Sequence, residues 1–326
     1  MRVFVTRTLP GTALERLARE HDVDLWPGDL PPPYGDLVAR ARHADALICL
    51  LTDRIDRALI EQATRLRVIS NVAVGFDNID VAAATARRIP VGNTPDVLTE
   101  ATADLAFALI LACARRIVEA DRYVREGRWR TWDPSLLLGM ELHGATLGIV
   151  GYGKIGRAVA RRAAGFGMRV IYATSRPADV SADPARGAVQ PQPAGLDALL
   201  RESDIVSLHV PLTDATRHLI GAPELRAMKP SAILINTARG AVVDQPALAR
   251  ALREGWIAAA GVDVTEVEPV PPGDPLLDAP NLTILPHIGS ATTHTRARMA
   301  GMAVDNALAG LRGERLPHCV NPDVYE

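Results

Sequence analysis

Short apolar runs, each closed by Gly, Pro or charged residues, recur along this chain and alternate with segments whose apolar positions return at helical spacing. Residues 2–6 alternate as a strand does, 10–20 carry a helix entered through Pro10 and Gly11, and 22–26 form a second strand. The Pro- and Gly-rich stretch 27–33 is loop. A helix at 36–42, buried strands at 46–51 and 65–71, a helix at 81–88 and a short strand at 91–93 follow. Residues 99–126 read as one long helix. Ala101, Leu105, Ala108, Leu109, Ile117 and Val118 make it apolar on several faces, as in helices buried at an interface or between domains. The loop behind it carries Trp129 and Trp132; these are either packing aromatics or a dimer arm, and the enrichment of aromatics at interfaces favours the arm. From residue 144 the alternation is regular. Strands fall at 147–150, 169–173, 205–208, 232–236, 258–262 and 282–285, with helices at 157–166, 195–202, 222–227 and 244–254 between them. A last helix spans 291–312.

One strand-to-helix junction differs from the others. The apolar run 147–150 meets Gly151, Gly153 and Gly156 at once. The helix that follows sets Val159, Ala160, Ala163, Ala164 and Phe166 on one face and arginines on the other. In this pattern the first glycine permits a tight turn, the second lets backbone approach a pyrophosphate, and the third lets helix and strand pack closely. The pyrophosphate then sits on N–H groups at the helix N-terminus, where the dipole favours an anion. The expected fold is α/β: two Rossmann-like domains with doubly wound parallel sheets. The dinucleotide-binding domain is expected at 96–290, including the helix 99–126. The substrate domain is expected at 1–95 plus 291–326, split between the N-terminal part and the C-terminal helix, with a cleft between the two domains.

Composition narrows the function. The chain of 326 residues is too long for one core and fits two domains. With 36 basic and 38 acidic residues it offers no footprint for nucleic acid and no polybasic membrane patch. Cys49, Cys113 and Cys319 lack the spacing of a metal site, so no metal is expected, and Cys49 and Cys113 read as buried free thiols. A strand begins directly at Arg2, no signal peptide is read before it, and no apolar run is long enough to span a membrane; the cytoplasm is the expected compartment.

Chemistry gathers at strand ends. The strand 169–173 delivers Thr174, Ser175 and Arg176 to the place, about 20 residues past the glycines, where an acidic residue would bind a ribose 2′-hydroxyl. Ser175 and Arg176 suit a 2′-phosphate instead, so NADP(H) is the preferred cofactor and NAD(H) the second choice. His209, Val210 and Pro211 close another strand on the adenine side of the expected crevice; His209 alone reads as a satisfied core or rim histidine. Arg239 emerges after 232–236, where a guanidinium can hold a carboxylate through two parallel hydrogen bonds. Asp263 and Glu268 follow the next strand, and His287 the last. An arginine, a carboxylate and a base-capable imidazole therefore come off consecutive strands.

These motifs resemble the D-2-hydroxyacid dehydrogenases over essentially the whole chain, nearest their glyoxylate/hydroxypyruvate reductase branch. They comprise Val74-Gly75 with Asp77-Asn78-Ile79-Asp80, the glycine turn, Asn236-Thr237-Ala238-Arg239-Gly240, Asp263 with Glu268-Pro269, and Pro286-His287-Ile288-Gly289-Ser290. The resemblance implies reduction of a small 2-oxoacid, glyoxylate or hydroxypyruvate, by hydride from the nicotinamide. His287 would be the proton donor, Glu268 its partner, and Arg239 the clamp on carboxylate and carbonyl. Backbone N–H groups of Val74 and Gly75 would bind the carboxylate. Asp263 and Ser290 would orient the carboxamide. Thr102, Lys154, Ile155, Arg157, Val210, Pro211, Thr237, Ala238 and Gly289 would join the glycines, Arg239 and His287 around the cofactor. It also implies a homodimer formed through the cofactor domain. Phosphite dehydrogenases share the stretch 98–102 but carry lysine where Val74 stands, and formate dehydrogenases carry Gln where Glu268 stands. Some proteins of this fold are nucleotide-sensing corepressors; neither a tail outside the two domains nor a peptide-docking arm is read here, which favours an enzyme.

Overall fold

The computed structural model describes residues 1–175 and 190–326. In chain order the first elements are β1 (Arg2–Val5), α1 (Ala13–Glu20), β2 (Asp22–Leu25), α2 (Tyr34–Ala41), β3 (Ala46–Cys49), α3 (Arg57–Gln62), β4 (Val68–Asn71), α4 (Val81–Ala86) and β5 (Val91–Gly92). Then come α5 (Thr99–Ala114), α6 (Ile117–Arg125), β6 (Thr146–Val150), α7 (Lys154–Gly165), β7 (Arg169–Ala173), β8 (Gln192–Pro193), α8 (Leu196–Glu202), β9 (Ile205–Leu208), α9 (Ala222–Ala227), β10 (Ile233–Asn236), α10 (Gln245–Glu254), β11 (Ala259–Val262), β12 (Leu282–Ile284) and α11 (Thr293–Arg312). The chain forms two compact units, Met1–Leu98 with Ser290–Glu326, and Thr99–Gly289.

The first unit is a parallel sheet in the order β2-β1-β3-β4-β5, a doubly wound arrangement. β3 and β4 are buried at every position, as strands covered on both faces must be. On one face α11 lays Ala300, Ala303, Val304, Ala307 and Leu311 against Val3, Val5, Ile48 and Val68. This helix starts on Thr292, whose side chain accepts from the Thr295 N–H at 3.0 Å, and ends on Gly313 in the left-handed conformation.

The second unit is a seven-stranded parallel sheet ordered β12-β11-β10-β9-β6-β7-β8. Its direction of winding reverses between β6 and β9, and ligands of such sheets bind at that switch, outside the carboxyl ends of the strands. The glycine turn sits there. α5 covers β10 and β11 and lies beside α7, with Arg161 and Arg162 of α7 pairing to Glu100 at 2.5 and 2.9 Å. Among the described residues no helix is long and apolar enough to cross a membrane.

Two readings of the sequence are corrected. The segment 99–126 is two helices: Arg116 takes a left-handed φ of 52° between α5 and α6, and its guanidinium grips Glu119 at 2.8 Å through both Nε and Nη2. No Gly or Pro marks this break, so helical periodicity ran through it. The sheet also gains β8, a two-residue edge strand containing Pro193, at the kind of edge where a missing N–H is tolerated.

Candidate active site

The turn after β6 is built by contacts that leave no room for side chains. Gly151 has φ +95°, and a Cβ there would stand 2.6 Å from the His209 carbonyl oxygen. A Cβ on Gly156 would stand 2.3 Å from the Gly151 carbonyl oxygen, so α7 can start this close to β6 only with glycine at that position. A Cβ on Gly153, by contrast, would meet nothing within 4 Å. Gly153 is the N-cap of α7 and offers no side chain to cap the first N–H groups. Open space therefore faces a helix N-terminus, which fits a pyrophosphate. Lys154 and Ile155 form the first turn of α7, and Ile155 packs onto the core. Arg157 reaches back to the Tyr152 carbonyl at 3.4 Å and lies over the Tyr152 ring.

The neighbouring strand ends are equally specific. β7 runs out at Ala173 into Thr174 and Ser175; Arg176, the expected partner of a 2′-phosphate, lies outside the described residues. Past β9, His209 bonds the Ser207 hydroxyl through Nε2 at 2.8 Å, and burial pushes its pKa down to about 4, so it stands neutral. Val210 and Pro211 follow, with the Pro211 carbonyl accepting from the Thr216 hydroxyl at 2.6 Å. Past β10, Asn236 shapes the next turn. Its Oδ1 accepts from the Ala238 N–H at 3.0 Å and its Nδ2 donates to the Arg239 carbonyl at 2.9 Å. Thr237 is buried there with a hydroxyl that meets no hydrogen-bond partner among the described residues, an atom a bound cofactor would satisfy. Half-buried Arg239 donates from Nη1 to the Ala238 carbonyl at 2.9 Å.

The third group surrounds His287. Its Nδ1 donates to Glu268 Oε2 at 2.7 Å, while Glu268 Oε1 accepts from the Thr265 N–H at 3.2 Å. This bond fixes the ring and its tautomer and leaves Nε2 as the outward nitrogen. The His287 backbone is left-handed, with φ +56°. Asp263, 1% exposed, holds that turn: its carboxylate accepts from the N–H groups of Ile288 and Gly289, both at 2.7 Å, and its carbonyl accepts from the His287 N–H at 2.9 Å. Burial pushes the Asp263 carboxyl up, against the pull of those two donors. Thr102, in the first turns of α5, donates to the Gly289 carbonyl at 3.4 Å.

Glu268, His287, Asp263, Gly289 and Thr102 thus form one connected cluster at the carboxyl edge of β11 and β12, with Arg239 off the adjacent β10. Sequence reasoning gave Asp263 only to the cofactor; its grip on the histidine turn was missed, as was the part of Asn236. Both depend on backbone turns that residue spacing does not reveal. In the other unit Val74 and Gly75 follow β4, and the Ser290 carbonyl accepts from the Thr292 N–H at 2.8 Å just before α11. Among the described residues no His, Cys, Asp and Glu cluster suits a metal.

Residues 107–289 match the family model described as the D-isomer specific 2-hydroxyacid dehydrogenase, NAD binding domain. The chain is 53% identical over 326 residues to a glyoxylate reductase of Korarchaeum cryptofilum, covering 100% of this chain and 97% of that one. A solved structure from Thermus thermophilus superimposes with a TM-score of 0.91 at 51% identity, covering 98% of this chain and 100% of the other. An NADPH-dependent glyoxylate/hydroxypyruvate reductase of Sinorhizobium meliloti, solved with NADP and malonate, gives 0.86 at 33% identity, covering 99% and 97%. With this turn, this histidine–glutamate pair and these relatives, the chain belongs to the D-isomer specific 2-hydroxyacid dehydrogenase family, on its glyoxylate reductase branch, and is a nicotinamide-dependent dehydrogenase.

Proposed function

We propose that this protein reduces glyoxylate, and hydroxypyruvate beside it, to the D-2-hydroxyacid. The observation that carries the reading is the 2.7 Å bond between His287 Nδ1 and Glu268. A bound nicotinamide cofactor supplies the hydride that the carbonyl carbon accepts. His287, as imidazolium with Nδ1–H on Glu268, gives its Nε2 proton to the carbonyl oxygen and is left neutral, so C=O becomes CH–OH. Glu268 accepts from Nδ1 and keeps the ring in the orientation this transfer needs, and Asp263 keeps its backbone turn in place. Arg239 holds the carboxylate and stabilises the charge that develops on the carbonyl oxygen. The N–H groups of Val74 and Gly75 take the carboxylate as well. Gly151, Gly153 and Gly156 with the first turn of α7 receive the pyrophosphate.

NADPH is the preferred hydride source in this reading, and NADH the lesser one. No acidic residue stands at 174–176 to repel a 2′-phosphate, Arg176 supplies a cation, and the Sinorhizobium meliloti relative is described as NADPH-dependent. A charge-assisted hydrogen bond is worth about 1.5–3 kcal/mol. The lower end corresponds to roughly tenfold in affinity. The ratio of kcat/KM for NADPH over NADH should therefore be about ten in the wild type and fall toward unity in Arg176→Ala, with NADH little changed. A wild type that prefers NADH, or a ratio untouched by the substitution, would remove Arg176 from cofactor choice.

The protein acts as a homodimer joined through α5, α6 and the tryptophan loop. Support comes from the half-exposed Ile117, Val118 and Val124 of α6 and from Trp132 at 78% exposure, large apolar side chains that an interface would cover. We assign it to the cytoplasm, which suits the unpaired thiols of Cys49, Cys113 and Cys319.

A further inference from the structure

The loop that follows β4 is pinned carbonyl by carbonyl. The Ala73 carbonyl accepts from the Thr94 N–H at 2.8 Å. The Val74 carbonyl accepts from Asn93 Nδ2 at 2.8 Å, and the Gly75 carbonyl from Asn71 Nδ2 at 2.9 Å. A trans peptide is planar and aims its C=O and the next N–H in opposite directions. Holding the carbonyl of Ala73 therefore aims the Val74 N–H, and holding that of Val74 aims the Gly75 N–H. Among the described residues neither N–H donates a hydrogen bond, whereas all three carbonyls are engaged. Such a pair of aimed donors is an anion-binding device.

The pins are themselves braced. Asn71 is fully buried, and its Nδ2 also donates to Asn78 Oδ1 at 3.1 Å. Asn78 donates to the carbonyls of Leu50 and Asp53, both at 3.0 Å. Buried Asp53 in turn accepts from the Thr6 hydroxyl at 2.5 Å and the Leu50 N–H at 2.8 Å. The loops after β3 and β4 are thereby one hydrogen-bonded body, and Asn93 closes it from the β5 side.

We propose that Asn93 is the positioning residue for the substrate carboxylate: through the Val74 carbonyl it sets the direction of the Gly75 N–H, with Asn71 and Asn78 fixing the rest of the loop. The inference rests on the reading that Val74 and Gly75 receive that carboxylate. Losing one aimed donor to a charged group is expected to cost about 10- to 100-fold in binding.

The test uses the full-length protein with Asn93→Ala and the isosteric Asn93→Asp, which removes the donor. The expected result is a KM for glyoxylate raised about 10- to 100-fold, a parallel rise in the inhibition constant of oxamate, and little change in kcat, in KM for NADPH or in thermal midpoint. Unchanged KM and oxamate inhibition in both variants would overturn the proposal. So would equal losses in cofactor binding, kcat and stability in Asn93→Asp, which would make Asn93 a general structural residue. Failure of the underlying reading is separately visible in Gly75→Pro, which deletes that N–H itself: KM for glyoxylate and oxamate inhibition would then stay unchanged, whereas the reading expects both to rise.

Discussion

At His287 the chain accepts a left-handed backbone, which costs a non-glycine residue roughly 1–2 kcal/mol. Three hydrogen bonds to Asp263 hold that turn, two of them charge-assisted, and they offset the cost. The strain therefore fixes a side chain whose other bond, to Glu268, fixes its ring. Replacing His287 with Ala should lower kcat by about 10²–10⁴-fold, the usual worth of a positioned acid–base group. Cofactor affinity, measured by fluorescence titration, should barely move. Glu268→Gln keeps an acceptor but loses its charge, and such a bond is roughly half as strong, so its kcat should fall by a smaller factor. Near-normal turnover in His287→Ala would remove this residue from the reaction. The types and order of these residues were legible in the sequence, because each follows a recognisable strand. Their mutual bonding was not: Asp263 reaches Ile288 and Gly289 across 25 and 26 positions, through a turn whose φ no spacing encodes.

The glycine turn and the helices around it carry meaning as elements. Gly153 and Gly156 look alike in a motif but differ in what surrounds them. Ala at 156 would drive a methyl into backbone and should destabilise the protein by about 1–3 kcal/mol, read as a lower thermal midpoint. Ala at 153 meets open space and an ordinary backbone, so the midpoint should hold while KM for NADPH rises at least about tenfold, as the methyl enters the space of the pyrophosphate. A Gly153→Ala variant with normal KM would mean that the pyrophosphate lies elsewhere. α5 and α6 give the second prediction at this scale. Leu111, Arg115, Ile117, Ala120, Asp121 and Val124 line a depression of about 700 Å³ on their surface, and an obligate dimer covering it should bury roughly 2,000 Å² or more. Light scattering at micromolar concentration should report two chains; a monomer would refute this. Strong periodicity made most elements readable. The break at Arg116 was not, because a left-handed arginine held by Glu119 leaves no Gly or Pro signature. Nor was β8, whose two residues are too few to form a pattern.

Taken as a whole, the molecule uses one plan twice: a doubly wound parallel sheet with its chemistry at the carboxyl ends of the strands. The fold class followed from the alternation of apolar runs and helical faces, since parallel sheets demand both. What separates the two units is residue detail, the glycine turn in one and the amide-pinned loop after β4 in the other. A nucleotide-sensing protein of this fold would need the first and not a histidine–glutamate pair on the strand edge. The most direct measurement is therefore the oxidation of NADPH by the purified protein with glyoxylate and with hydroxypyruvate, product acids quantified alongside. The expected result is one 2-hydroxyacid formed per NADPH consumed, the hydroxypyruvate product being the D enantiomer. Binding of the nucleotide without turnover of any small 2-oxoacid, or an L product, would contradict it.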